Sequence, residues 1–253
     1  VASPPDSASI LDVYGTLAAV YDWLVPDALL TPEGSAQAFA PLLEPGSRVL
    51  DCAAGTGTLA VGLALAGFEV TASDASPEMI ARTRALADAR GVDVRPHLRV
   101  WADLHGGPYD AVLCVGNSLA HAQGRRGRRA ALTAMARVLR PGGLLLVTAR
   151  NWERVRAGQS GLEVGERLVE RDGVLGLVIR SWTLADQWTE PHLLDTAVAL
   201  LDGEGRVTTH AERLPFWPFP HETLDADLRA SGLRPETSSW APDADRYLVT
   251  SRR

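Results

Sequence analysis

The stretch Arg48-Val-Leu-Asp51-Cys-Ala-Ala-Gly55-Thr-Gly57, followed by Asp74 at the end of the next apolar run, constrains this chain more than any other feature. A short apolar run that ends in glycines reads as a buried strand turning into a helix. Glycine there removes the side chains that would keep a ligand from the backbone. In a doubly wound sheet such a turn lies in the crevice at the carboxyl ends of the strands, where ligands bind. An acid closing the second strand is placed to accept hydrogen bonds from both hydroxyls of a ribose.

The surrounding pattern agrees with such a sheet. Strands are expected at Arg48–Cys52, Glu69–Ser73, Val94–Trp101, Asp110–Val115 and Leu144–Thr148, alternating with helices at Thr58–Ala66, Pro77–Arg90 and Arg128–Leu139. Alternation of this kind implies parallel β-α-β units. Ser76-Pro77-Glu78 is a strong helix start, with serine at the N-cap and proline in the first turn. Before these units, helices are expected from about Ile10 to Val25, ended by Pro26, and over Ser35–Leu43. After them, Leu162–Glu170, Val174–Leu184 and His192–Leu201 read as an antiparallel meander, and a helix at Glu222–Ala230 and a strand at Tyr247–Ser251 return to the first sheet. The expected fold is α/β: a doubly wound, mostly parallel Rossmann-like sheet with a small antiparallel β cap inserted after the fifth strand. The expected divisions are an N-terminal helical arm (1–47), a nucleoside-binding core (48–153), the cap (154–215) and a C-terminal completion of the core sheet (216–253).

Composition narrows the chemistry. The net charge is −6 and all 25 basic residues are arginine. An acidic balance argues against non-specific nucleic-acid binding. The absence of lysine removes Schiff-base chemistry and the phosphate lysine of P-loops. The run Arg125-Arg126-Gly127-Arg128-Arg129 reads as a solvated face. Cys52 and Cys114 are too few for a disulfide framework, no apolar run is long enough for a membrane span, and no secretory leader pattern is visible, so a cytoplasmic setting is expected. No Cys/His spacing supports a metal site.

Taken alone, Gly55-Thr-Gly57-Thr-Leu-Ala60 also satisfies a permissive dinucleotide fingerprint, which leaves a nicotinamide-dependent reductase open. Asp51 separates the readings. A pyrophosphate wants backbone donors and a helix N-terminus, and a carboxylate alongside repels it. S-adenosylmethionine carries no phosphate, and its ammonium and sulfonium both favour a nearby acid.

With these residues in place, the chain resembles the class I S-adenosylmethionine-dependent methyltransferases. Val49 to Gly57 is similar to their first motif, Val70 to Met79 to the second, Ala102-Asp103-Leu104 to the adenine-contacting turn, Tyr109 to Cys114 to the fourth strand, and Leu139 to Gly143 to the turn before the fifth. The resemblance implies S-adenosyl-L-methionine as cofactor. Ala53, Gly55 and Gly57 would line its methionine end beside Asp51, Asp74 would hold the ribose, and Met79 would pack on the adenine. Asp103 and the Ala102 backbone would meet the adenine edge, with Ala75 and Val115 in the same cofactor-binding set. Tyr14 or Tyr21 would close over the cofactor, unless these tyrosines simply pack helix against core.

Cys114-Val-Gly116-Asn117-Ser118-Leu-Ala-His121 and Thr148-Ala-Arg150-Asn151-Trp152 are similar to the glycine N-methyltransferase branch. There the matching asparagine and arginine contact an amino-acid acceptor, the guanidinium pairing with its carboxylate. Such a fork would aim the attached amine. Arg150 has the alternative of pairing with a surface acid. His121 reads as a general base, as a cofactor-side residue or as a helix-start histidine bonded to backbone. The cap lacks the tyrosines of the glycine enzymes, offering Trp182, Trp188 and two histidines instead, so a larger amine fits as well as glycine. The expected function is methyl transfer to the amine of a small molecule, with O-methylation and a non-catalytic cofactor-binding module as alternatives. A monomer and a homo-oligomer both remain open.

Overall fold

The computed structural model describes residues 16–158, 160–165 and 168–253. After a 3-10 turn at Ala18–Val20 come two short helices, α1 (Tyr21–Leu24) and α2 (Pro32–Ala36). The β-α units follow: β1 (Arg48–Asp51), α3 (Thr58–Leu65), β2 (Glu69–Asp74), α4 (Pro77–Arg90), β3 (Val94–Leu98), β4 (Tyr109–Cys114), α5 (Gly124–Val138) and β5 (Leu139–Arg150). A one-and-a-half-turn helix, α6 (Trp152–Ala157), leads into a second set of strands: β6 (Gly161–Val164), β7 (Val169–Arg171), β8 (Val174–Thr183), β9 (His192–Leu201) and β10 (Val207–Phe216). The chain then returns through α7 (His221–Ala230), β11 (Arg234–Ser238) and β12 (Arg246–Arg252).

The main sheet has the order β11-β12-β5-β4-β1-β2-β3. Strands β1 to β5 run parallel, and β12 and β11 add antiparallel at one edge. The order reverses at β1, which lies between β2 and β4, so the crevice at the strands' carboxyl ends opens there. Val49, Leu50 and Asp51 are buried, as expected for a central parallel strand covered on both faces. The second sheet is antiparallel, β10-β9-β8-β6, with β7 also paired to β8. Its inner face (Val178, Trp182, Leu194, Val198, Leu214, Phe216) shares one hydrophobic core with Leu50, Val112, Leu132 and Leu145 of the main sheet and α5. Among the described residues, no helix is long and apolar enough to cross a membrane.

The α/β expectation holds, and the departures from it have identifiable physical causes. The helix expected over 10–25 is, within the described residues, only the 3-10 turn and α1. Val25 is extended, as a residue before proline prefers, and residues 16–24 are fixed by tertiary bonds instead. Arg82 on α4 donates to the Ala18 carbonyl and pairs with Asp22 at 2.7 Å, and the Trp23 ring rests on Gly176, where any Cβ would collide with it. The second expected helix starts earlier, with Thr31 accepting the Gly34 N–H as its cap, and stops at Ala36; only a 3-10 turn follows around Pro41. The third strand ends at Leu98 because Trp101 turns away to donate its indole N–H to the Cys52 carbonyl (2.8 Å). Leu162–Glu170 divides into β6 and β7. Strands β10 and β11, polar and each containing a proline, carry too weak a pattern to be read from sequence.

The arginine run is a further correction. Arg125 and Arg129 donate to one oxygen of Asp227 (2.8 and 2.7 Å), and Arg128 donates to the other at 2.9 Å. Asp227, on α7, is fully buried, and Arg128 is nearly so, lying over the Phe219 ring. Three of the four guanidiniums therefore bolt α5 to α7. Removing one partner of a buried pair leaves the other charge uncompensated, so Asp227→Asn is expected to cost about 3–5 kcal/mol, read as a lowered urea midpoint.

Candidate active site

Strand β1 ends at Asp51, and the turn that follows crosses the crevice before α3 begins. Gly55 and Gly57 both adopt the left-handed region, with φ of +54° and +83°. A Cβ on Gly57 would sit 2.7 Å from the Thr83 hydroxyl, so only glycine lets α4 pack against this turn. Thr83 in turn donates to the Gly55 carbonyl at 3.0 Å. On Gly55 a Cβ would meet nothing within 4 Å, so this part of the turn borders open space.

Asp74, half-buried at the tip of β2, holds the turn from the other side. One of its oxygens accepts the Gly55 N–H (2.8 Å) and the other the Ser76 N–H (3.0 Å). Burial raises its pKa while these backbone donors oppose the rise. Each oxygen retains acceptor capacity, since an ionised carboxylate offers about four lone-pair directions.

Asp51 is 1% exposed. Its Oδ1 accepts a long bond from the Ala53 N–H (3.4 Å), and its Oδ2 has no partner among the described residues. Burial, reinforced by the charge of Asp74 and opposed by the Ala53 amide, pushes its pKa up to about 7. A buried carboxylate without a counter-ion favours a cation beside it. The arrangement suits a nucleoside that carries positive charge and repels a pyrophosphate.

Ala53, Ala75 and Val115 are half-buried, Ala75 directly after Asp74 and Val115 directly after β4. Ala102 and Asp103 are exposed on a 3-10 turn, the Ala102 carbonyl accepting from Arg137 (3.4 Å). Met79 is 2% exposed under the first turn of α4, which leaves almost none of its surface to a ligand. Tyr14 lies outside the described residues. Tyr21, on α1, has its hydroxyl pKa raised by burial and then by the neighbouring Asp74 charge.

The β4 and β5 tips are tied together by Asn117. This residue takes a left-handed backbone (φ 71°), and its side-chain oxygen accepts the Arg150 N–H at 2.9 Å, leaving the amide nitrogen as a donor. The Arg150 guanidinium makes no ion pair among the described residues; it lies 5.6 Å from the centre of the Trp182 ring instead. Burial pulls its pKa down to about 10, with Arg246 and Arg180 adding repulsion. Trp182 belongs to an aromatic nest with Trp152 and Phe216. His121 Nδ1 donates to the Pro215 carbonyl (3.3 Å), its ring tilts against Phe216, and burial depresses its pKa to about 4, so it is neutral at ordinary pH.

The structure thus gathers Asp51, Gly55, Gly57, Asp74 and Ala75 at one crevice, and joins Asn117 to Arg150 beside it. Sequence reasoning missed Arg82 and Thr83, which brace the crevice, and Arg180, which shares the inner face of β8 with Trp182. The alternation of Arg180 and Trp182 along one strand was the available signal.

A family of methyltransferase domains matches residues 49–143. The glycine/sarcosine N-methyltransferase of Parasynechococcus marenigrum (strain WH8102) is 39% identical over 130 residues, covering 49% of this chain and 46% of that protein. The glycine N-methyltransferase of Rattus norvegicus is 36% identical over 122 residues, 43% of this chain and 42% of the relative. The matches therefore span less than half the length of these relatives. Among solved structures, the CcbJ methyltransferase from Streptomyces caelestis superposes with a TM-score of 0.74 at 24% identity, over 95% of this chain and 97% of that one. Residues 49–143 thus resemble a methyltransferase domain, and the chain has the fold of the CcbJ methyltransferase over nearly its whole length. Within the class, it resembles the glycine N-methyltransferase branch.

Because the folded state holds the Asp51 proton more tightly than the unfolded chain does, this group's contribution to stability is complete below the ordinary carboxylate pKa. It is lost as pH rises through about 7. Asp51→Asn is therefore expected to stabilise the ligand-free protein at pH 8 by about 2–4 kcal/mol and to leave it near wild type at pH 4, measured by thermal unfolding at both pH values.

Proposed function

We propose that this protein transfers a methyl group from S-adenosylmethionine to the amine of a small molecule. The observation that carries the reading is a buried oxygen of Asp51 with no partner among the described residues, beside Asp74 at the tips of β1 and β2. The names of the relatives, glycine and glycine/sarcosine N-methyltransferases, support it. When bound, S-adenosylmethionine supplies a methyl group already activated by its sulfonium.

The residues present fit that molecule. Asp51 holds the ammonium, Asp74 accepts from the ribose hydroxyls, and the backbone around Ala53, Gly55 and Gly57 lets the methionine end lie close. Asp103 and the Ala102 backbone meet the adenine edge, Ala75 and Val115 wall the site, and Tyr21 covers its ribose side. On the acceptor side Arg150 pairs with a carboxylate, and the Asn117 amide donates to the same group. Together they aim the amine in line with the methyl group. Burial makes His121 a weak base, and its ring shapes the wall beside Phe216 rather than taking the acceptor's proton. Alignment and exclusion of water are the chain's contributions to the rate. A reducing, cytoplasmic setting fits two buried free cysteines.

Calorimetry tests the donor half. S-adenosylmethionine should bind, an oxidised nicotinamide dinucleotide should give no heat, and Asp74→Ala should weaken donor binding about 10- to 100-fold, the worth of charged hydrogen bonds to the ribose. Release of S-adenosylhomocysteine with a panel of amines and hydroxyl compounds tests the acceptor half. Arg150→Ala should lower kcat/KM for carboxylated amines about 100-fold and for uncharged amines far less. Equal losses on both would remove the carboxylate clamp.

A further inference from the structure

Three guanidiniums converge where the cap meets the end of β5. Arg150 closes β5, Arg246 stands opposite it in the antiparallel register of β12, and Arg180 projects from the inner face of β8, two residues before the Trp182 ring that lies beneath Arg150. Among the described residues none of the three makes an ion pair. Among the same residues Arg180 donates only to the Leu24 carbonyl, at 3.3 Å. Two carboxylates are near. Asp245 already pairs with Arg154 at 3.0 Å, and Glu163, across from Arg180 on β6, is exposed and outside ion-pair distance.

A clamp for one carboxylate needs one guanidinium. Here three face a single unengaged acid, and two of them, Arg150 and Arg180, are half-buried. Crowded, partly desolvated like charges are unfavourable until an anion arrives. Thr196, the cross-strand neighbour of Arg180 on the same face, is 3% exposed, and its hydroxyl has no partner among the described residues. It offers a neutral donor directly beside the second guanidinium.

We infer that the acceptor carries, besides its amine, two negative charges: one held by Arg150 and the other by Arg180 with the Thr196 hydroxyl, with Arg246 at the rim. Dicarboxylates and phosphate-bearing amines share this chemistry. The assignment rests on the amine-methylation reading for its use in turnover, whereas the anion site stands on the geometry alone. Burial and the repulsion from Arg246 and Arg180 that loosen the Arg150 proton agree with a surplus of positive charge at this point.

The test is calorimetric titration of the whole chain with succinate, inorganic phosphate and propionate. Wild type should bind succinate or phosphate at least about tenfold more tightly than propionate, the gain of a second charge-assisted contact. Tighter succinate binding assigns a dicarboxylate, and tighter phosphate binding a phosphorylated acceptor. Arg180→Gln should reduce the preference to under about twofold, while Arg180→Lys, which keeps the charge and guards against a folding artefact, should retain most of it. Equal affinity for all three anions, or a preference that survives Arg180→Gln, overturns the inference. The same proteins are then assayed for S-adenosylhomocysteine release with glycine, aspartate and O-phosphoserine. Selective dianion binding without methyl transfer to any amine would overturn the amine-methylation reading and leave the anion site in place. Transfer to glycine without any dianion preference would do the reverse.

Discussion

The hydrogen bond from the Gly55 amide to the Asp74 carboxylate joins the end of the first strand to the end of the second, and the rest of the crevice depends on it. With the turn fixed from that side, Thr83 can close on Gly57, α4 can pack against the loop, and Asp51 is left enclosed with one oxygen unengaged among the described residues. The site is thus built around an unfavourable element. An uncompensated buried carboxylate lowers the stability of the empty protein and raises its attraction for a positively charged guest.

The tips of β4 and β5 follow a different logic. Asn117 spans from the fourth strand to the fifth through one bond to the Arg150 backbone, so the guanidinium of Arg150 is aimed by main-chain geometry and by the Trp182 ring rather than by a neighbouring acid. The cap contributes Trp182 and Arg180 from a face that is part of the main hydrophobic core. Side chains placed on strands of a packed sheet are held more rigidly than side chains on free loops.

What the sequence made legible was local. Asp51, the two glycines and Asp74 sit within strand-turn-helix units whose apolar spacing and caps, such as Ser76 with Pro77, announce themselves over a few residues. The alternation of strands and helices also disclosed the sheet. What stayed hidden was decided at long range. The partner of Arg125, Arg128 and Arg129 is Asp227, 98 or more residues away, and nothing near the run announces it. The true extents of α1 and α2 are set by Pro26, Pro41 and the bonds of Arg82, against a helical pattern that looked longer. Strand β11, polar and proline-bearing, exists because β12 offers it an edge. Arg180 acquires meaning only when β8 lies beside β9 and faces β5.

Residues 16–27 are fastened at both ends of the ligand region: to α4 through Arg82, and to the cap through Trp23 on Gly176, the Leu24 carbonyl on Arg180 and the Arg171–Asp27 pair. Where a guest in one half alters the affinity of the other half through this strap, the second guest alters the affinity for the first by the same factor. Thermodynamic reciprocity then makes the affinities of the two compounds rise or fall together by one common factor.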